Sequence, residues 1–140
     1  MFVLGNAAVS WKSKLQPTVA LSSTEAEYMA LGAAACEALY MRNLLGELCP
    51  AAVPGSVTLF EDNQSTIKQA FNLQSSERTK HIDIRYHFIK DHISKGDIAI
   101  EYIPTDRQPA DALTKSLDRV KVFSSRQSLL GKAKAADGKD

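Results

Sequence analysis

The stretch VTLFEDNQS, residues 57–65, passes from an apolar strand into a pair of acids and then into residues of helix-capping type. Val57 to Glu61 is a short run rich in β-branched and aromatic side chains, and it reads as a buried strand. Asp62 at its end has two readings. As an N-cap it would accept hydrogen bonds from the first turn of a helix beginning at Asn63. As a metal carboxylate it would sit where ligands of α/β folds gather, outside the carboxyl end of a strand. One acid does not decide between these, so the remaining residues must supply or withhold its partners.

Upstream, Val53-Pro54-Gly55-Ser56 is a turn. Ser22 to Leu48 is rich in Ala, Leu, Met and Glu and reads as one long helix, which Pro50 helps to end. At the start, Phe2-Val3-Leu4 and Ala7 to Lys12 form a hairpin about Gly5-Asn6. Downstream, Asn63 to about Asn72 is a short helix. Ile82, Tyr86, Ile89 and Ile93 then fall at i, i+4, i+7 and i+11, one face of a helix that Gly96 stops. Ile98 to Pro104 is another strand. Gln108-Pro109-Ala110-Asp111 opens a helix with proline first, and a last helix covers Arg119 to Leu130. The tail, residues 131–140, lacks bulky apolar residues and is expected to be disordered. Strands alternating with helices make residues 1–130 one α/β domain.

Composition narrows the function classes. A chain of 140 residues, 44% hydrophobic and 24% charged, has the make-up of a globular domain with a core. A net charge of +1 gives no broad basic footprint, so a nucleic acid would have to be held by a local patch. No apolar run approaches membrane-spanning length and the N-terminus has no secretory pattern, so an intracellular protein is expected, with no membrane partner. Cys36 and Cys49 are too few for a disulfide framework or a structural zinc site and read as reduced thiols.

Three acids stand at element ends. At about 100° per residue, Glu27 falls in the apolar arc of Leu31, Ala34, Ala38 and Leu45, whereas Glu25 falls with Asn43 and Glu47. Glu25 is therefore a capping-box partner of Ser22. Glu27 is turned toward the core side and needs an arginine, a hydrogen-bond network or a metal. Asp111 is a first-turn acid, which the helix dipole alone explains. Taken together, the three acids could converge on hard cations, and a two-ion carboxylate site is nuclease chemistry. His81, His87 and His92 are spaced six and five apart and do not share a helix face, so a zinc site is not expected there.

These residues fall into blocks: SWKSKLQPTVALSSTEAEYMAL, EDNQSTIKQA, RTKHIDIRYHFIKDHI and IEYIPTDRQPADALTKSL. In this order, from about Ala8 to about Leu130, they resemble the ribonuclease H domain of copia-type retrotransposon Pol polyproteins. The resemblance implies a ribonuclease H-like mixed five-stranded sheet with flanking helices. It also implies endonucleolytic hydrolysis of the RNA strand of an RNA–DNA hybrid, with two Mg2+ ions (Mn2+ as a substitute) held by four carboxylates. Glu27, Asp62 and Asp111 match three of those carboxylates, as catalytic residues and metal ligands. Ser23, Thr24 and Gln64 match positions that touch the hybrid, where they would read 2′-hydroxyls. Lys12, Lys14, Arg78, Lys80 and Lys115 are candidate phosphate contacts or solvated surface charges. The setting implied is cytoplasmic or nuclear, including retrotransposon particles.

The sequence departs from the family in two places. The family's first, central strand carries the first catalytic aspartate, and no aspartate precedes Glu27 here. The expectation is an N-terminally truncated domain that is impaired as a nuclease, or a catalytically inactive remnant that binds nucleic acid or oligomerises. The hairpin is expected to close directly onto the Asp62 strand or stay loosely attached, in preference to a strand donated by a partner; a homodimer or hetero-assembly through the exposed sheet edge is the structural alternative. Ser76 also stands where the family usually has histidine.

Overall fold

The computed structural model describes residues 1–5, 7–72, 80–114, 116 and 118–130. These form two compact units, residues 18–106 and residues 1–17 with the described part of 107–140.

In the first unit α1 (Ser23–Leu48) packs on β3 (Val57–Glu61) and on two further helices, α2 (Gln64–Phe71) and α3 (Lys80–Ser94), while β4 (Ile98–Tyr102) pairs with β3. The β3–β4 pairing is parallel, from Val57 opposite Ile98 to Glu61 opposite Tyr102. Such a pair needs a crossover, and α2 and α3 provide it. On β3, Leu59 and Glu61 are buried while Phe60 is exposed, so one sheet face meets the helices. The core joins Tyr28, Leu31, Ala35 and Ala38 of α1 to Leu59, Tyr86, Ile89, Ile98 and Ile100. Tyr86 and Ile89 belong to the helix face expected from the sequence, and both are buried. Small residues on α1 admit α3 closely: a Cβ on Gly32 would lie 3.5 Å from Arg85 Cδ.

Helix ends follow local chemistry. Ser22 caps α1, its Oγ accepting the Glu25 amide at 3.1 Å. The reciprocal bond of Glu25 goes one residue further back than in a capping box, its Oε2 accepting the Leu21 amide at 2.7 Å. Past α3, Gly96 takes φ +74°. The Gly96 amide bonds Ile93 O and the Asp97 amide bonds His92 O, both at 3.0 Å, the Schellman arrangement that glycine permits.

In the second unit β1 (Phe2–Leu4) and β2 (Ala7–Ser10) form an antiparallel hairpin with Gly5 at φ 58°. A 3-10 turn, Pro109–Leu113, replaces the longer helix expected there, and α4 (Arg119–Leu130) packs on that turn and on β2. Every buried apolar residue among the described residues belongs to the first unit.

The sheet differs from the one that the resemblance implies. Among the described residues β1 pairs only with β2 and β3 only with β4. Each pair satisfies its own inner backbone edge, and no described run bridges them. Asn6, Ser76 and the tail 131–140 lie outside the described residues.

Candidate carboxylate site

The end of β3 resolves the ambiguity of Asp62. The cap of α2 is Asn63, whose Oδ1 accepts the amides of Ser65 at 2.9 Å and Thr66 at 3.3 Å. Asp62 therefore stands one residue outside the helix, half-buried, between the strand and its neighbour's cap. Glu61 faces the opposite way, buried on the Leu59 side, with Oε1 accepting the Asn63 amide at 3.0 Å. The turn is thus closed by one side chain and the helix opened by the next, which leaves Asp62 to neither task.

Thr66, fully buried, donates from Oγ1 to the Thr24 carbonyl oxygen at 3.4 Å. This ties the first turn of α1 to the first turn of α2 and brings Thr24 and Glu27 to the Asp62 end of the sheet. Glu27 is exposed, although the helical arc turns it inward with Leu31 and Ala38, which are buried. It lies one turn inside α1, which begins at Ser23.

Glu61 reports the electrostatics of the cluster. Burial pushes its carboxyl up to about 7, and the charges of Glu27 and Asp62 push in the same direction, against hydrogen bonds from the Asn63 and Asp62 amides. Burial thus favours the neutral form of the Glu61 carboxyl, which limits the negative charge that gathers there. The sequence reading passed over this residue. The signal was the alternation of β3, which puts residue 61 on the buried face with Leu59.

The other expected residues divide by unit. Ser23 and Gln64, both exposed, open α1 and α2 in the Asp62 unit. Asp111 belongs to the other unit, half-buried in its 3-10 turn, with its carbonyl oxygen accepting the Thr114 amide at 3.1 Å. Lys12 and Lys14 are exposed in that unit too. Arg78 and Lys115 lie outside the described residues, as does the side chain of Lys80. Among the described residues no group of three or more His, Cys, Asp or Glu could hold a metal ion. Glu27 and Asp62 thus match magnesium in donor type, as hard oxygen ligands, while supplying only part of a ligand set.

The side chain of His81 lies outside the described residues. His87 is exposed, and the Nδ1 of His92 lies 2.9 Å from Asp97 Oδ2. Asp97 also receives Arg42 Nη1 at 2.7 Å, while Arg42 Nε and Nη2 bond the carbonyl oxygens of Pro54 and Gly55. This network fastens the far part of α1 to the start of the sheet. The helix runs back along β3, acids at one end and the ion pair at the other.

The chain is 38% identical over 131 of its residues, 94% of its length, to the retrovirus-related Pol polyprotein from transposon TNT 1-94 of Nicotiana tabacum. Homologues at 36–38% identity over most of the chain are Pol polyproteins of plant transposons. The corresponding proteins from transposons RE2 and RE1 of Arabidopsis thaliana are each 36% identical, over 84% and 91% of the chain. The chain spans only a small part of these relatives, 10%, 8% and 9% of their lengths. No family model and no solved structure matches it. No helix among the described residues is long and apolar enough to cross a membrane.

Proposed function

We propose that this chain is a retrotransposon-derived ribonuclease H-like domain whose substrate is an RNA–DNA hybrid. The observation that carries the reading is the division of labour at the end of β3. Asn63 caps α2 and Glu61 closes the turn, so Asp62 has no structural duty at the cap, and its charge and that of Glu27 both act on Glu61. Resemblance in the four sequence blocks and homology to transposon Pol polyproteins support the same reading.

Glu27 and Asp62 are the residues of the first unit that would hold magnesium, and Asp111 is the third carboxylate that the resemblance matches. Such ions, when bound, would supply charge stabilisation to the reacting oxygens of a phosphodiester. The chain's own residues do the rest. Thr24 and Gln64 stand at the helix starts nearest Asp62, where hydroxyl and amide groups reach the 2′-hydroxyls of an RNA strand. Lys12, Lys14 and Lys80 are the cations proposed for the backbone phosphates.

These 140 residues supply three of the four carboxylates that the family uses, so on their own they are expected to cleave a hybrid weakly or not at all. The test is a magnesium-dependent assay on an RNA–DNA hybrid, run with the chain alone and with an acid-bearing strand added ahead of Met1. Cleavage by the extended chain, abolished in Glu27→Gln and Asp62→Asn, is expected. An extended chain that neither binds nor cuts the hybrid would sink the reading. Because these residues supply three of the four family carboxylates, binding without cleavage is the second reading. It requires hybrid affinity that falls steeply with salt while the extended chain stays inactive.

A further inference from the structure

We infer that Glu61 is a positioning residue for the Asp62–Glu27 pair, acting as a hydrogen-bond acceptor and not as a ligand of the ion. The inference rests on the reading of the carboxylate site given above and adds to it a residue outside the acids that the resemblance matches.

Four hydrogen bonds form one relay between the two acids. Glu61 Oε1 takes the Asn63 amide at 3.0 Å, spanning Asp62. Asn63 Oδ1 takes the Ser65 and Thr66 amides, at 2.9 and 3.3 Å. Thr66 Oγ1 then reaches the Thr24 carbonyl at 3.4 Å, within the turn of α1 that leads to Glu27. The strand end is itself fixed, because the Ile103 amide bonds the Glu61 carbonyl oxygen at 3.0 Å. Asp62 hangs from the first link and Glu27 from the last.

The direction of the Glu61 side chain separates positioning from ligation. It lies on the buried face of β3, 6% exposed, while Glu27 is exposed and Asp62 half-buried. Its Oε1 is engaged by the turn, and the three acids do not form a group that could hold an ion. What the turn requires of residue 61 is an acceptor of this reach, and a glutamine carries the same one.

The test compares Glu61→Gln, which keeps the acceptor, with Glu61→Met, which keeps the volume and loses it. Neither leaves a buried charge, so both are suited to fold. Mn2+ is titrated into each full chain and into Asp62→Asn. The expected result is Gln within about twofold of the parent and Met weaker by about 10–100-fold, the usual loss when a group that orients a ligand is removed. Exchange of the Asn63 amide, followed by NMR, should stay slow in the parent and Gln and speed up in Met. Equal weakening in Gln and Met would make charge the operative property and overturn the proposal, as would unchanged affinity in Met. A parent that binds Mn2+ no better than Asp62→Asn would refute the site reading instead. The Glu61 proposal then stands if the Asn63 amide and the Asp62 carboxyl resonance shift in Met and not in Gln, and falls if they do not.

Discussion

A one-residue difference at the end of β3 removes Asp62 from the cap of α2. Asp and Asn are both good N-caps, so from the sequence either residue 62 or residue 63 could have opened α2. Only backbone geometry chooses: Asn63 is extended at φ −91° and ψ 103°, and its side chain faces two amides of the first turn. Asn63→Ala should therefore lower stability by about 1 kcal/mol in urea unfolding. Asp62→Asn should leave stability nearly unchanged while acting on hybrid cleavage by the extended chain. If Asp62→Asn proved as destabilising as Asn63→Ala, Asp62 would be a structural residue after all. Glu61 stayed illegible because a buried acid breaks the pattern by which core positions are recognised. Its partners, Asn63 and the acids beside it, exist only once the strand and both helix starts are assembled.

The elements were legible where local chemistry alone sets their limits. The apolar face Tyr86, Ile89 and Ile93 and the stop at Gly96 required nothing from the rest of the chain. Gly96 at φ +74° makes the stop testable, because a side chain in the left-handed region is strained. Gly96→Ala should cost about 1 kcal/mol, and Gly96→Asn less, by the same unfolding measurement. Gly32 is the opposite case. Its missing Cβ would meet the Arg85 stem at 3.5 Å, an ordinary contact, so Gly32→Ala should stabilise α1 by about 0.5–1 kcal/mol. Gly32→Leu should push α3 away and destabilise the chain. Pairing between elements was less legible. Strand partners are chosen across long sequence separations, and the described residues form β1–β2 and β3–β4 pairs.

On the scale of the whole molecule, the buried apolar residues are concentrated in residues 18–106. A fragment of these residues is expected to unfold in urea as one cooperative transition. A fragment that is unfolded in buffer would show that the hairpin and α4 contribute to the fold. The Arg42–Asp97–His92 network adds a pH dependence. Hydrogen bonds from His92, then from Arg42, hold the Asp97 carboxyl below its usual 3.8. A depressed carboxylate stabilises the fold above its unfolded pKa, and that stabilisation is lost as pH falls through the lower folded value. Stability should thus decline below about pH 3.8 in the parent, with a shallower decline in Asp97→Asn, as followed by thermal melts across that range.

The same network has a mechanical consequence for the acids. At about 1.5 Å of rise per residue, Arg42 lies about 22 Å along α1 from Glu27. A rigid rod of that length that tilts by about 3° at its anchored end moves its other end by about 1 Å, twice the tolerance of about 0.5 Å within which a catalytic constellation has to be held. Fastening Arg42 to Asp97, Pro54 and Gly55 therefore fixes an angle, and the stiffness of the helix carries that angle to Glu27 as a position.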